Sequence, residues 1–312
     1  MYFIKLKQIN FYKDFSEKNR ILHFYESIYN TISGQNLIND SPIQYELDKE
    51  SLVYVILIPS YLNTKIKNSE LEFNFYRITT HSGFLVLINQ YINFEEYFRS
   101  KLKAKRRKSL RSQLRKLEQS FQITYVLSQD KIDKVHCEFL LEKLKLMIEK
   151  RFNERGDVHS SISNWNFYET SLYKMLRDGK ACLFVIYNEE EPIAISLNYL
   201  KQNIFFSAIA SYDTNYSKFS LGNILILKKI EWCFKQSYSA FDMGYGDLKY
   251  KREWCTMVYK FQTHIFYNRN NIKKRLLAFL VSILVFVKIN FRRKLKSILS
   301  LKFLVSRALK KA

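Results

Sequence analysis

Glycine, proline and cysteine are scarce in this sequence. The 312 residues include seven glycines, three prolines and four cysteines. The cysteines have no paired spacing, which argues against a disulfide framework and indicates a reducing compartment. Hydrophobic residues make up 47% of the chain, which excludes a disordered protein and, at this length, predicts about two domains. The four cysteines are Cys137, Cys182, Cys233 and Cys255.

Two other signals are missing. The five histidines are scattered without the spacing of metal ligands, so no metal site is predicted. The first ten residues are basic and mixed, and they lack the apolar core of a cleavable signal peptide. Together with the unpaired cysteines, these features predict a cytoplasmic protein.

Acidic residues are absent from two segments. Residues 99–116 contain ten Lys and Arg side chains and residues 255–312 contain fourteen, while neither segment contains Asp or Glu. The net charge of +22 is therefore concentrated there, and the rest of the chain is nearly neutral. Basic runs of this density are either solvated faces or sites for the phosphates of a nucleotide, a lipid headgroup or a tRNA.

Residues 204–254 contain the clearest candidate for a functional site. An apolar run at 204–210 predicts a buried strand, and a polar turn leads from it into a helix that Ser220 can cap and that has Gly222 in its first turn. The first backbone N–H groups of a helix are unpaired, so this junction can hold a phosphate; a packing glycine is the plainer alternative. The helix has an apolar face of Leu227, Ile230 and Phe234, with Lys228, Lys229, Glu231 and Lys235 elsewhere.

Three short motifs in this region follow one another in a recognisable order. They are Tyr216 with Ser220-Leu221-Gly222, then Phe241-Asp242-Met243-Gly244, then Gly246-Asp247 followed by Tyr250-Lys251 and Trp254. The order resembles that of the CelD-like acetyltransferases associated with cellulose and exopolysaccharide biosynthesis. Those proteins belong to the GNAT superfamily and are similar to the FemAB aminoacyl ligases. The resemblance covers roughly residues 95–260.

The resemblance implies acetyl-CoA or another acyl-CoA as donor, with its pyrophosphate on the amides around Ser220, Leu221, Gly222 and Asn223. It also implies an α/β fold in which a GNAT-like mixed sheet is flanked by helices, in tandem domains. On this interpretation 1–93 is a degenerate GNAT-like subdomain, 94–119 a basic connecting helix, 120–270 the acyltransferase domain and 271–312 a basic hydrophobic tail. The order of predicted elements from 130 to 243, two helices, three strands, a helix and a strand, agrees with that fold.

Elsewhere the patterns are less specific. A helix with an aromatic stripe is predicted at 11–29, and strands are predicted at 52–58, 71–78 and 84–88. The loop at 153–165, which contains His159, borders the acceptor in the resembled fold or is an ordinary connection.

An acyl transfer of this type needs a base for the acceptor, an acid for the thiolate and donors for the thioester oxygen. Asp213 and Asp242 are the candidate bases, Tyr250 is the candidate acid, and Lys251 is placed to position an anionic group. Each has a structural alternative, as a turn cap, a loop anchor, a core aromatic and a solvated lysine respectively. Candidate contacts to an anionic acceptor are Lys105, Arg107, Arg111 and Trp254.

The tail contains an apolar run at 276–287, which is too short for a bilayer span of about twenty residues. A basic amphipathic helix at 295–309 follows it. The pattern predicts peripheral association with the anionic inner face of the cytoplasmic membrane; a buried terminal helix or a protein partner would give the same pattern.

Three functional hypotheses follow. The first is an acyl-CoA-dependent N- or O-acyltransferase that modifies a sugar or lipid-linked precursor in envelope or exopolysaccharide biosynthesis. The second is a FemAB-like transferase that takes its group from aminoacyl-tRNA and acts on a peptidoglycan-type precursor; only this one requires nucleic acid. The third is a non-catalytic, membrane-bound adaptor.

Overall fold

The computed structural model describes residues 6–18, 20–37, 42–43, 52–67, 72–129 and 132–309. The strands are β1 (Leu6–Asn10), β2 (Ile21–Leu22), β3 (Tyr25–Asn30), β4 (Gln35–Leu37), β5 (Pro42–Ile43), β6 (Leu52–Pro59), β7 (Leu62–Ile66), β8 (Phe73–Leu87), β9 (Ile123–Ser128), β10 (Ala181–Asn188), β11 (Glu191–Lys201), β12 (Ile204–Tyr212), β13 (Ala240–Tyr245) and β14 (Met257–Asn268). The α-helices are α1 (Phe94–Lys101), α2 (Ala104–Ser120), α3 (Lys134–Asn153), α4 (Trp165–Arg177), α5 (Leu221–Lys235), α6 (Lys249–Trp254) and α7 (Ile272–Leu309).

The chain divides into two compact units, one of residues 83–258 and one of residues 1–82 with 259–312. In the 83–258 unit the strand order is β8-β13-β12-β11-β10-β9. The β12–β13 pair is parallel, whereas the other neighbours are antiparallel. This mixed sheet with flanking helices is GNAT-like and confirms the predicted fold class.

The central strands formed where the sequence predicted them because their apolar runs are buried on both faces. Residues 181–187 of β10 and 192–199 of β11 are all buried, which requires cover on each side of the sheet. All four cysteines are free thiols and buried, and all four belong to this unit. The division of function between the predicted domains stays a prediction.

The basic helix predicted at 94–119 is two helices. Leu102 is extended (φ −103°, ψ 135°) and ends α1, although no glycine or proline lies nearby to signal a break. The guanidinium of Arg107 donates to the carbonyl oxygens of Arg99 and Leu102, groups that a helix end leaves without partners. Burial of the Leu102 side chain (3% exposed) stabilises the break further.

The helix predicted at 11–29 was wrong. The segment forms a short π-helical turn at Lys13–Glu17 and then strands β2 and β3. Along β3 the buried Ile28 and Asn30 flank the exposed Tyr29, as in a strand. The strand pairs with β4 and β7, with a register shift between Tyr25 and Ser27 opposite β7. The two strands predicted at 71–78 and 84–88 belong to one strand, β8.

The tail forms one continuous helix, α7. Its Leu277, Ala278, Val281 and Val285 pack on a core cluster of the 1–82/259–312 unit. Within the described residues, no helix has an apolar stretch long enough to cross a bilayer. The side chains of the amphipathic face predicted at 295–309 lie outside the described part of the molecule.

Candidate active site

The parallel strands β12 and β13 pair over a short distance and then diverge. Their pairing ends at Phe206 with Asp242, although β12 continues to Tyr212. On its other edge β12 has a β-bulge at Ala208 opposite β11, a feature that bends strands and often occurs beside active sites. The result is a cleft that is closed near Phe206 and open toward Tyr212.

A cavity of ≈ 420 Å³ occupies this cleft. It is lined by β12 beyond Phe206, by Phe241 and Met243 of β13, by the first half of α5, and by side chains from α3 and α6. Three of the lining residues are cations, Arg151, Lys229 and Lys251, and among the described residues no Asp or Glu lines it. The cleft is therefore suited to groups that carry or develop negative charge.

The N-terminus of α5 faces the cavity, as the sequence predicted. Ser220 has a left-handed conformation (φ 56°, ψ 41°), and its side chain makes no capping hydrogen bond, contrary to expectation. The Asn223 amide donates to the carbonyl oxygen of Ser220 (2.9 Å), so it is not free for a ligand. Within the described chain, the amides of Leu221 and Gly222 have no acceptor.

Gly222 lets Tyr212 lie directly against this helix end. A Cβ added to Gly222 would stand 3.2 Å from Cε1 of Tyr212. The guanidinium of Arg151 lies 4.5 Å from the centre of the Tyr212 ring, and in the described structure its Nε has no hydrogen-bond partner. Sequence reasoning missed Arg151, because a basic residue in the last turn of a helix is common.

Arg106 fixes the start of α5 from α2. Its Nη2 donates to Oδ1 of Asn223 (2.9 Å), and its Nε lies 2.5 Å from Oε1 of Glu253. Of the predicted acceptor contacts on α2, Arg107 caps α1, Arg111 forms an ion pair with Glu95 (2.9 Å), and Lys105 is exposed. None of those three lines the cavity, and their role toward an acceptor stays a prediction.

Lys229 is the least expected residue of the cleft. Its side chain is 1% exposed and reaches the cavity from α5. Its Nζ donates to Ser207 Oγ (2.8 Å), Ser196 Oγ (2.9 Å) and Asn198 Oδ1 (3.3 Å). Burial lowers the pKa of Lys229 to about 7.

Lys251 and Tyr250, both predicted, line the cavity from α6. Nζ of Lys251 donates to the carbonyl oxygens of Met243 and Tyr245, at 2.6 Å each, so the side chain is buried rather than solvated. Burial lowers its pKa to about 8, and the Asp242 carboxylate opposes part of that shift. Burial raises the pKa of Tyr250 above its ordinary value, which keeps the phenol protonated at neutral pH.

The family comparison agrees with this geometry. Residues 104–252 match the family model described as "Acetyltransferase (GNAT) domain". This part of the chain has a GNAT-like fold. The match spans slightly less than half of the chain, and it includes α5, the cleft strands and most of α6. No curated protein matches the sequence.

Three solved structures are similar to this chain at low sequence identity. The crystal structure of FemX is 11% identical with a TM-score of 0.50, covering 73% of this chain and 75% of that chain. The C-terminal domain of a putative lysylphosphatidylglycerol synthetase from Agrobacterium fabrum is 10% identical with a TM-score of 0.48, covering 74% and 71%. L-PGS from Bacillus licheniformis is 14% identical with a TM-score of 0.45, covering 75% and 73%.

Neither predicted base lines the cavity. Asp213 accepts from the amide of Asn215 (3.0 Å) and from Nζ of Lys150 (3.2 Å), which is the turn-capping alternative. Asp242 is fully buried, and its Oδ1 accepts from the amide of Gly244 (2.7 Å), which is the loop-anchoring alternative. We therefore assign both carboxylates to holding the backbone around the cleft.

Trp254 was predicted to contact an acceptor, and the loop that contains His159 was predicted either to border the acceptor or to be an ordinary connection. Trp254 is 0% exposed within the core cluster, so it cannot contact an acceptor, and we assign it to packing. His159 lines the cavity, and burial beside Arg151 lowers its pKa. Its Nδ1 accepts from the amide of Ser161 (3.2 Å); an amide can only donate, so the neutral ring carries its hydrogen on Nε2. His159 is therefore a hydrogen-bond donor in the cleft.

Proposed function

We propose that the domain at 104–252 transfers an acyl group from acyl-CoA to an amine or hydroxyl acceptor. The observation that carries this proposal is the divergence of β12 and β13 beyond Phe206, with the N-terminus of α5 at the same cavity. Diverging strands make room for an extended thioester, and the helix end offers unpaired amides to its pyrophosphate. The matching family model supports acyl transfer.

In this proposal the amides of Leu221 and Gly222 bind the pyrophosphate, and Arg151 adds a positive charge beside them. The guanidinium already stacks on Tyr212, which in turn lies against Gly222. Ser220 shapes the turn through its backbone, because its side chain makes no cap. Arg106 and Asn223 hold the helix end in place rather than the ligand.

The acceptor nitrogen or oxygen attacks the thioester carbon and the C–S bond breaks. Tyr250 gives its proton to the departing thiolate and regains one from the attacking amine or hydroxyl. Lys251 and Nε2–H of His159 stabilise the negative charge that develops on the oxygen and sulfur. No carboxylate lines the described cavity, so this site works by stabilising charge rather than by a carboxylate base.

We further propose that the acceptor is a sugar or lipid-linked precursor of envelope polysaccharide, used at the inner face of the cytoplasmic membrane. An exposed apolar surface on α7 supports the membrane location. Its residues are 49–67% exposed: Leu276, Leu280, Leu284 and Val287. Lys273, Lys274, Arg275 and Lys288 flank this apolar surface, and the helix contains no acidic residue. Such a helix lies at the interface of anionic lipid.

Calorimetric titration of the whole protein with CoA and acetyl-CoA tests the donor. We expect binding in wild type and a loss of at least tenfold in Gly222→Trp, since even a Cβ at that position meets Tyr212 at 3.2 Å. Lys235→Trp, at the exposed far end of the same helix, is the matched control and should bind as wild type does.

Absence of heat with either nucleotide, from folded protein, would reject the acyl-CoA donor. Aminoacyl-tRNA is then the second candidate, favoured by the exposed side chains of Lys105, Lys108, Arg115 and Lys116 on α2. Failure of both donors would leave the adaptor hypothesis, in which the fold is kept without the chemistry.

A further inference from the structure

The closed end of the cleft contains a buried lysine with no acidic partner among the described residues. Lys229 is 1% exposed, and the residues that its Nζ contacts are all neutral: two serines and an asparagine. A buried charge is costly unless it is paired, and proteins usually supply the counter-charge or replace the residue. Burial lowers the pKa of Lys229 to about 7, so the amine is only partly protonated near neutral pH, and an anion in the cleft would favour its protonated form.

The neighbouring titratable groups do not supply the missing charge. Cys182 on β10 and Cys233 on α5 lie close to Lys229. Burial raises the pKa of the Cys182 thiol to about 12 and raises that of Cys233 well above its ordinary value, so both are neutral. From β13, the ring of Phe241 faces Nζ at 5.4 Å. The other charged groups that line the cavity in the described chain are cations.

The arrangement leaves a donor available to a ligand. Ser196 donates its hydroxyl hydrogen to Asn198 (2.9 Å), whereas Ser207, which accepts from Lys229 (2.8 Å), lines the cavity. Its hydroxyl hydrogen can therefore point into the cleft, strengthened by the cation behind it. Ser207 directly follows Phe206, the last residue of β12 that pairs with β13.

This position is separate from the site proposed for pyrophosphate. Lys229 follows Gly222 by seven residues on α5, which is about 10 Å along a helix axis. The helix end and Lys229 therefore contact different parts of whatever occupies the cleft.

We infer that the closed end of the cleft receives a carboxylate or phosphate of the substrate, bound by Ser207 and neutralising Lys229. The group belongs either to the acyl chain, as in a dicarboxylic acyl-CoA, or to the acceptor. Assigning the anion to the acyl chain or to the acceptor rests on the proposed acyl transfer. The existence of the anion site does not.

The test compares wild type with Lys229→Met by calorimetric titration at pH 8 in buffers of different ionisation enthalpy. One arm uses succinyl-CoA against acetyl-CoA, and the other adds succinate or inorganic phosphate to protein saturated with CoA. Because Lys229 is largely neutral at pH 8, we expect an anion at the closed end to bind with uptake of about one proton. Lys228→Met, which removes the half-buried neighbour paired with Glu231, is the matched control.

If the acyl chain carries the anion, wild type will bind succinyl-CoA about tenfold more tightly than acetyl-CoA, as a charge-assisted hydrogen bond provides. In Lys229→Met the preference will vanish and the proton uptake will fall to the part that Lys251 contributes. If the acceptor carries it, the same contrast will appear with succinate or phosphate instead. Ser207→Ala, which keeps the cation, should weaken the same ligand by a smaller factor.

The inference is overturned if wild type and Lys229→Met bind every probe alike, or if binding takes up no proton. A third outcome separates the two proposals. If no CoA compound binds, but succinate or phosphate still binds the free protein in a way that depends on Lys229, the acyl-CoA donor is rejected and the anion site is supported. Loss of both would reject both.

Discussion

Lys228 and Lys229 are adjacent on α5, yet their side chains lie in opposite surroundings. Lys228 is half buried and forms an ion pair with Glu231 (3.3 Å), while Lys229 is 1% exposed. The sequence pattern assigned both to the polar part of the helix, because charge normally indicates solvent. The helix is covered on more than one side, and only the structure reveals that the second lysine points at a cleft.

Lys229 makes stability depend on pH in a defined direction. Burial lowers its pKa from 10.5 to about 7, so between those values the unfolded chain binds more protons than the folded one. The free energy of unfolding should therefore rise with pH across this window. We expect Lys229→Met to be more stable than wild type below pH 7, by up to a few kcal/mol, and to show a shallower rise.

Urea unfolding at pH 6.5 and pH 9.5 measures this difference. Lys251, whose pKa burial lowers to about 8, contributes a slope of the same sign and remains in the variant, so the rise should shrink rather than vanish. Lys228→Met should keep the wild-type slope. Equal slopes in wild type and Lys229→Met would contradict the assignment of a buried amine.

Other residue roles were partly accessible from the sequence. Gly222 was singled out because a helix start after a strand and a polar turn is visible in the pattern, and Lys251 and Tyr250 because a motif contained them. All three line the cavity, and their roles there stay predictions. Asp213 and Asp242 were misassigned since a carboxylate near a cleft and one that caps a turn look alike in sequence. Arg151 gave no signal of its own, because the cavity joins it to β12 from another part of the chain. His159 was singled out only as part of a loop that borders the acceptor in the resembled fold.

Among the secondary-structure elements, the strands of the sheet were the most predictable. β10, β11 and β12 are short apolar runs bounded by turn residues, and their pairing follows from adjacency. The break between α1 and α2 was not predictable, because it is held by the Arg107 side chain rather than by glycine or proline. The segment 11–29 failed because aromatic residues spaced three and four apart also suit strands joined by turns.

Helix α7 as a whole is predicted to bind anionic membranes. The protein should sediment with vesicles that contain phosphatidylglycerol and not with vesicles of phosphatidylcholine alone, because its flanking charge is entirely basic. The double variant Leu280→Asp with Leu284→Asp, at positions 49% and 67% exposed, should lose most of this association.

Ile92→Asp serves as the control, since Ile92 is 90% exposed outside α7. It should sediment as wild type does. If the double variant still sediments fully, the exposed face of α7 is not the surface that binds the membrane. If wild type does not sediment, a protein partner for that face is favoured.

At the scale of the whole molecule, the net charge of +22 will attract any polyanion at low salt. We expect tRNA to bind in 0.05 M salt and to lose about a thousandfold or more in affinity by 0.2 M, as contacts to several phosphates require. CoA has few charges and should lose far less. Filter binding and calorimetry over this range would measure both.

Retention of tight binding at 0.2 M salt, with a preference for aminoacylated over deacylated tRNA, would instead support the aminoacyl donor. Total charge is therefore a poor guide to the partner here. The cations that matter for donor choice are the three that line the cleft.

The four buried thiols have a practical consequence. All of them belong to the 83–258 unit, and none is accessible in the folded state. A small chromogenic disulfide reagent added to native protein would react with these thiols only when that unit opens. The rate of the thiol reaction therefore measures the rate at which the unit opens. Ligands that bind in the cleft should slow this thiol reaction, and the measurement needs no added cysteine or fluorescent label.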